Sequence, residues 1–371
     1  MYLYWIREAL LLLLIGITSW SNQASAASLA QESRLPEAEY AAKKQHVTFY
    51  DNSRARPVRV TLWYPKKDGA CRSAHLCLSE EANTERAFVL SHGSMGSADD
   101  YDWVGNALAR RGYVVVGISH FGESWVYGQD TVDHATALKL WLRPQDVSFV
   151  LHRLERNVLP DDSTRLLFSQ PVNWRNITAI GHSAGGSTAL MLAGARYAPE
   201  QLANYCSTEH AQRDRSCAYL QYFEPENEDW HPIEQDFTDS RVTALMLLDP
   251  ALGHITARRS LEQLSHPALI VGAKNNDFLY YPAHGQYIAD TLNHSIHMTL
   301  EDEEGHFVFL DACNHSYTAL GVALCIDKEG VSRDAVQARV LATIDQFLVS
   351  TFFTTTKHSN LRHKQVNYAD R

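Results

Sequence analysis

The fold is decided by residues 177–186, which read ITAIGHSAGG. Four residues suited to a buried strand lead into a glycine, and small and apolar residues suited to a helix follow. The spacing Gly181-x-Ser183-x-Gly185 permits a turn too tight for neighbouring side chains, which pushes the serine hydroxyl out above the strand. The stretch therefore predicts a strand, a sharp turn that carries Ser183, and a helix.

The same alternation of strand and helix continues outward from this turn through most of the chain. Apolar runs predict strands at 87–91, 113–118, 177–180, 242–248, 268–271 and 296–300. Because these runs are continuous, the strands should be buried on both faces, as in a parallel sheet covered by helices. Helical spacing and end signals predict helices at 99–111, 144–158, 184–197 and 334–353.

The remaining β-rich runs, residues 46–50 and 58–64, predict an antiparallel hairpin ahead of the alternating part. Together the elements predict a single α/β domain over residues 45–354, with a mostly parallel central sheet and helices on both faces. Two excursions, residues 121–143 and 198–240, interrupt the alternation. Both follow strands at the edge where such sheets bind ligands, so we expect either walls of a substrate pocket or solvated loops.

The first residues have the composition of an export signal. Arg7 precedes an apolar run at 9–17, and the small residues 24–26 are typical of a cleavage site, so residues 1–26 are expected to be a signal peptide. The apolar run is shorter than the roughly 20 residues that span a bilayer, so we expect no stable membrane anchor. The expected location is periplasmic or extracellular.

Composition narrows the class of partner. A hydrophobic fraction of 45% with 20% charged residues is ordinary for a soluble globular protein. Polar stretches at 27–44 and 355–371 are expected to be a linker and a tail. A formal net charge of -10, without any Lys/Arg run, argues against a nucleic-acid partner. We therefore expect a small-molecule or lipid substrate, and the oligomeric state is left open.

The six cysteines fall into three pairs that are close in sequence. Each pair flanks a polar, loop-like stretch, and an exported protein meets an oxidising compartment, so local disulfides are the simplest pairing. The expected disulfides are Cys71–Cys77, Cys206–Cys217 and Cys313–Cys325. No cysteine or histidine spacing is typical of a zinc site, so no metal is predicted.

A serine hydroxyl is a weak nucleophile at neutral pH and needs a base within hydrogen-bond reach. In folds with this turn the base follows the last strand. His306 lies just past residues 296–300 and is therefore the candidate, whereas His294, His297 and His315 are less well placed. Ser183 and His306 thus form a candidate nucleophile and base.

Two aspartates could orient the imidazole by accepting its Nδ1 proton. Asp249 follows the run 242–248 and Asp277 follows the next one, so either could be the acid. Acyl transfer also needs backbone N–H groups aimed at the developing oxyanion. We expect one from Ala184, directly after the nucleophile, and one from Ser94, in the loop after residues 87–91.

Four further segments make the resemblance to a family specific: RPVRVTLWYP at 56–65, SHG at 91–93, RPQD at 143–146 and GHF at 305–307. With the Gly-His-Ser-x-Gly turn, they resemble the bacterial relatives of platelet-activating factor acetylhydrolase, which are described as dienelactone-hydrolase-like. The resemblance covers nearly all of the expected mature chain. It implies an α/β-hydrolase fold, a Ser-His-Asp mechanism without a cofactor, and carboxylic esters as substrates.

The same resemblance favours Asp249 as the acid, because the acetylhydrolases carry it at that point of the fold. Many esterases instead resemble Gly-x-x-x-Asp after the next strand, and here Asn276 holds the fifth position, one residue before Asp277. Short-chain or phospholipid-type esters are the implied substrates. The alternatives are a polyester or longer-chain lipid hydrolase and, outside enzymes, a silent hydrolase fold that only binds.

Overall fold

The computed structural model describes residues 40–69, 74–161, 164–223, 228–314 and 317–365, with only the backbone from 352 onward. The chain divides into two units, of which the first is Ala38–Ile344 and the second has residues 345–365 as its described part. The first unit holds the sheet and the candidate site. The predicted signal peptide and most of the predicted linker lie outside the described residues. Among the helices described, none has the length and apolar character needed to cross a membrane.

Eight strands form one large sheet, numbered here β1 to β8: Ala42–Asp51, Arg56–Pro65, Asn83–Ser91, Tyr113–Ser119, Ile177–His182, Val242–Leu248, Ala268–Ala273 and Ser295–Leu300. Their spatial order is β1-β2-β4-β3-β5-β6-β7-β8. The pairs β1-β2 and β2-β4 are antiparallel and the other neighbours are parallel. All residues of β4, β5 and β7 are buried, so both faces of the sheet are covered there. This topology is the α/β-hydrolase fold.

Seven α-helices accompany the sheet, numbered α1 to α7 among the described residues: Asp102–Arg110, Leu142–Glu155, Ala184–Ala193, Leu202–Cys206, Arg258–Glu262, Gly285–Thr291 and Arg333–Gln365. Helix α1 packs on β1, β2 and β4, while α3 packs on β3, β5, β6 and α2. All residues of α3 are buried, which suits its small and apolar composition. Two small sheets pair Ala74–Leu76 with Leu166–Phe168 and Thr318–Ala319 with Val322–Ala323.

The register of the parallel strands brings their carboxyl ends to one edge. Ser91 pairs with Gly181, and His182 pairs with Leu248, which in turn pairs with Val271. The loops that follow β3, β5, β6 and β7 therefore begin side by side. This alignment gathers the predicted oxyanion, nucleophile and acid loops although they are far apart in sequence.

The two excursions consist mainly of short 3-10 helices. The first contains Trp125–Tyr127, Gln129–Thr131 and His134–Leu138, and the second contains α4 with Pro199–Gln201, His210–Arg213, Arg215–Tyr222 and His231–Glu234. The rings of His134 and Tyr222 join the excursions, with centroids 4.7 Å apart. The excursions therefore pack on each other.

Two of the three expected disulfides are present in the described residues. Cys206 is bonded to Cys217 within the second excursion, with Cα atoms 5.5 Å apart. Cys313 is bonded to Cys325, with Cα atoms 5.0 Å apart. The expected pairing of Cys71 with Cys77 cannot be placed, because Cys71 lies outside the described residues.

The two central helices differ from their predicted bounds. Helix α2 begins at Leu142, so Arg143 belongs to the helix and not to the first excursion. Pro144 is tolerated in this first turn because the N–H it lacks would have no intrahelical acceptor. Helix α3 ends at Ala193 and not at residue 197, because Gly194 takes the left-handed conformation with φ of 112°.

The ends of the predicted domain also differ from the structure. Strand β1 starts at Ala42, inside the predicted linker, because its pairing with β2 extends to Pro65. Helix α7 continues to Gln365, through most of the predicted polar tail. Residues 333–365 contain no glycine or proline, so nothing in the local sequence ends the helix earlier.

Candidate active site

Ser183 lies between β5 and α3 in a strained backbone conformation. Its φ of 55° and ψ of -121° belong to a region that residues with side chains rarely adopt. A Cβ at Gly181 would lie 2.0 Å from the carbonyl oxygen of Gly185, and one at Gly185 would lie 1.9 Å from that of Ser91. Only glycine fits at either position. The turn therefore has the form that its sequence predicts.

His306 follows β8 and is buried, and its ring faces Asp249 at the end of β6. Its Nδ1 lies 2.5 Å from Oδ2 of Asp249. Because a carboxylate can only accept, Nδ1 carries the proton and the lone pair of the neutral ring is on Nε2. Within the described residues, Nε2 makes no hydrogen bond. The ring of Phe278 stacks on the imidazole at 5.0 Å and helps to hold its orientation.

The nucleophile turn and the base loop are joined through His182, the residue before Ser183. The rings of His182 and His306 have centroids 4.6 Å apart, and Nε2 of His182 lies 3.1 Å from the carbonyl oxygen of His306. The amide of Ser183 donates to Leu248, the residue before Asp249, at 3.1 Å. The turn, the acid loop and the base loop therefore meet at one edge of the sheet.

The two candidate acids occupy different places around His306. Asp249 faces the ring, and its carboxylate also accepts from the amide of Ala273 at 3.1 Å and from the side chain of Asn276. Asp277 instead accepts the backbone N–H of His306 at 2.9 Å. Asn276, which breaks the esterase-like pattern, is thus a partner of Asp249. The imidazole ring of His306 is therefore hydrogen-bonded to Asp249, and the backbone N–H of His306 is hydrogen-bonded to Asp277.

The two predicted oxyanion donors come from the nucleophile turn and from the loop after β3. Ala184 opens α3, and the first amides of a helix have no intrahelical acceptor. A Cβ at Gly93 would lie 3.3 Å from the Cβ of Ser183, so the loop that carries Ser94 runs beside the nucleophile. In the described part of the chain, the amides of Ser94 and Ala184 donate to no acceptor. Both are available to a bound oxyanion.

A buried tyrosine that the sequence analysis missed joins the loop of Ser94 to the nucleophile turn. The hydroxyl of Tyr101 accepts from the amide of Gly93 at 3.0 Å and lies 2.8 Å from Nδ1 of His182. Since Nε2 of His182 faces the carbonyl of His306, that nitrogen carries the proton and Nδ1 accepts from Tyr101. Burial lowers the pKa of His182 well below its usual range, which keeps the ring neutral. No sequence motif marks Tyr101, because its role depends on contacts between distant residues.

A second buried histidine–aspartate pair lies away from Ser183. Nε2 of His284 is 2.5 Å from Oδ2 of Asp214, which also accepts from the hydroxyl of Tyr205 at 2.7 Å. The amide of Leu252 donates to Nδ1 of His284 at 2.8 Å, so the ring proton is on Nε2. With His254, these side chains are close enough to bind a metal ion. However, the Nε2 proton occupies the position of the lone pair that a metal would need.

Comparisons with known proteins leave the family open. No protein-family model matches the chain, and no curated protein matches it. Among solved structures, the chain is similar to a ferulic acid esterase from Streptomyces cinnamoneus, with 20% identity, a TM-score of 0.45, and coverage of 75% of this chain and 78% of the esterase. It is also similar to a puromycin-hydrolyzing peptidase from Mycobacterium tuberculosis, with 14% identity and a TM-score of 0.44, over 73% of this chain and 37% of the peptidase.

Proposed function

We propose that the chain hydrolyses carboxylic esters, with Ser183 as nucleophile, His306 as general base and Asp249 as the acid that orients the imidazole. One observation carries the proposal: the strained serine turn meets a histidine whose Nδ1 faces a buried carboxylate. Nε2 of this histidine makes no hydrogen bond among the described residues, so its lone pair is free. That arrangement supplies the base that a serine nucleophile needs.

In the proposed reaction, Oγ of Ser183 attacks the ester carbonyl carbon while Nε2 of His306 takes the hydroxyl proton. The carbonyl π electrons move to the oxygen, which the amides of Ser94 and Ala184 stabilise. The tetrahedral intermediate then breaks its C–O bond to the alcohol, which takes the proton from His306. Water repeats the sequence on the acyl-enzyme and releases the acid. No cofactor enters these steps.

The two excursions favour small or short-chain esters as substrates over a long polymer. Tyr219 of the second excursion lies beside the side chain of Ser94, and Glu123 of the first excursion pairs with Arg143. Ser183 is only 7% exposed. A site enclosed in this way favours short-chain acyl or phospholipid-type esters, whereas a polyester hydrolase would need an open groove. A series of p-nitrophenyl esters of increasing acyl length would test this, and faster turnover of the longest chains would contradict it.

The Ser183→Ala variant tests the central claim. We expect turnover of p-nitrophenyl butyrate to fall by roughly 10⁴-fold or more, because the remaining groups cannot form the acyl-enzyme. Covalent labelling by a fluorophosphonate should be lost as well. Both would be measured on the purified protein.

Ser187→Ala is the matched control. This serine lies one turn further along α3, is buried, and donates to the carbonyl of Ala251 at 3.0 Å. It should keep its labelling and most of its turnover. Unchanged turnover in Ser183→Ala would refute the proposal and leave the fold as a binding protein.

A further inference from the structure

The oxyanion donor proposed for Ser94 belongs to the peptide unit Gly93–Ser94, which directly follows the unit His92–Gly93. Each unit is planar and trans, so its C=O and N–H point in opposite directions. Whatever holds the carbonyl of Gly93 therefore also sets the direction of the Ser94 N–H. Hydrogen bonds to the carbonyl of Gly93 can therefore orient the N–H of Ser94 at the other end of the same peptide unit.

Each peptide unit has two polar ends, its C=O and its N–H. Of the four ends in these two units, three are hydrogen-bonded to buried groups. The carbonyl of His92 accepts from Nη1 of Arg143 at 2.7 Å, and the amide of Gly93 donates to Tyr101 at 3.0 Å. The carbonyl of Gly93 accepts from Nδ1 of His92 at 2.6 Å, from the amide of Gly96 at 3.3 Å and from Nη2 of Arg143 at 3.4 Å. The fourth end, the N–H of Ser94, donates to no acceptor among the described residues. Arg143 is thus the one side chain that holds both carbonyls.

The guanidinium is itself held by Glu123, at the start of the first excursion. Nε and Nη2 of Arg143 donate to the two carboxylate oxygens at 2.8 and 2.7 Å, and both side chains are 2% exposed. A bidentate pair of this kind fixes the plane of the guanidinium. The remaining N–H groups then point at the loop. The only sequence signal for this role is the Arg-Pro-x-Asp segment.

We propose that Arg143 is a positioning residue for the oxyanion donor Ser94, an inference that rests on the proposed ester hydrolysis. The side chain does not take part in proton transfer and is oriented by Glu123. Its effect passes through the carbonyls of His92 and Gly93 to the opposite end of the peptide. Loss of the guanidinium removes the side-chain donor to the His92 carbonyl and one of three donors to the Gly93 carbonyl, so the Ser94 amide is held less firmly towards the developing oxyanion.

Two variants remove the fork in different ways. Arg143→Lys keeps a buried charge against Glu123 but cannot hold both carbonyls, and we expect kcat for p-nitrophenyl butyrate to fall by about 10-fold to 10²-fold. The double variant Arg143→Met with Glu123→Gln leaves no unpaired charge. We expect its kcat to fall by about 10²-fold to 10³-fold, which is the loss caused by removing one oxyanion donor. In both, KM should stay within about threefold and the pH profile should keep its shape, because the Ser183–His306 pair is untouched.

Arg241→Lys is the matched control. Arg241 makes the same bidentate pair with Asp239, at 2.8 and 2.6 Å, and also donates to the carbonyl of Ser148 at 3.1 Å. It lies before β6, at the sheet edge opposite the candidate site. We expect a similar loss of thermal stability in this variant without a specific loss of kcat.

A boronic acid, which forms a tetrahedral adduct with a nucleophilic serine, separates positioning from general damage. Its affinity should fall in the Arg143 variants by a factor close to the loss of kcat, while Arg241→Lys should bind it normally. Wild-type boronate binding in both Arg143 variants, or equal kcat losses in Arg143→Lys and Arg241→Lys, would overturn the inference. Failure of the proposed function would look different, because Ser183→Ala would then remain active.

Discussion

Two of the three buried histidine–aspartate pairs among the described residues look alike and differ in the placement of one proton. In both His306–Asp249 and His284–Asp214, a ring nitrogen lies 2.5 Å from a carboxylate oxygen. All four side chains are at most 2% exposed. His306 presents Nδ1 to its aspartate, whereas His284 presents Nε2.

The second nitrogen of each ring decides what the pair can do. Nε2 of His306 has no partner in the described part of the chain, so its lone pair is free to take a proton. Nδ1 of His284 already accepts the amide of Leu252, so this ring has no free lone pair. The first pair can serve as a base, while the second ties the second excursion, which carries Asp214, to the segment after β7 and, through Leu252, to the loop after β6. Distance and burial alone would not distinguish them.

The largest difference between the two pairs is expected when the aspartate of each pair is replaced by asparagine. Asp249→Asn should lower kcat for p-nitrophenyl butyrate by roughly 10⁴-fold, because the amide favours the wrong tautomer of His306. Asp214→Asn should leave kcat within a few-fold. It should instead lower the free energy of unfolding by about 1.5–3 kcal/mol, the worth of a hydrogen bond to a charged group.

Kinetics and urea denaturation of the two variants would check both halves of this prediction. Asp249→Asn alters the same kind of hydrogen bond, so it should lose a similar free energy of unfolding and remain folded, and the loss of kcat is what separates the two variants. A catalytic loss in Asp214→Asn as large as that in Asp249→Asn would show that the two pairs are not functionally distinct.

His254, which lies beside the His284–Asp214 pair, should make the free energy of unfolding depend on pH. Its ring packs edge-on to His284 with centroids 4.8 Å apart, its nitrogens make no hydrogen bond of good geometry among the described residues, and burial lowers its pKa to about 3. The unfolded chain binds a proton there below the ordinary pKa of about 6.5, whereas the folded protein does not. This residue therefore costs stability progressively as pH falls from about 6.5 towards 3.

His254→Phe should remove that dependence without removing a hydrogen bond. We expect the slope of the free energy of unfolding between pH 6 and 5 to flatten by up to about 1.4 kcal/mol per pH unit, equivalent to one proton. Urea denaturation at a series of pH values would measure it. His152→Phe, at a histidine whose side chain is 72% exposed, should keep the wild-type slope, and an unchanged slope in His254→Phe would contradict the prediction.

The smallest effect is expected at Asp277, the rival acid. Its carboxylate holds the backbone amide of His306, and the side-chain oxygen of an asparagine can still accept that N–H. Asp277→Asn should therefore lower kcat by less than about tenfold. A loss as large as that predicted for Asp249→Asn would reverse the assignment of the acid.

Much of the architecture follows from local patterns in the chain. The predicted strands at 87–91, 113–118 and 242–248 correspond to β3, β4 and β6, because continuous apolar runs indicate strands buried on both faces. The bounds of α2 and α3 were less accurate. Pro144 and Gly194 act through backbone geometry that hydrophobic spacing does not report.

By itself, the sequence determined the strand, the tight glycine turn and the position of Ser183, because these depend on residues that are adjacent in the chain. It also placed His306 after the last strand. Tertiary contacts determine which aspartate faces the ring of His306 and which ring nitrogen keeps its lone pair. They also determine that Arg143 is hydrogen-bonded to the loop before Ser94. Those features depend on hydrogen bonds between residues tens of positions apart, and such contacts exist only after the parallel strands align their ends.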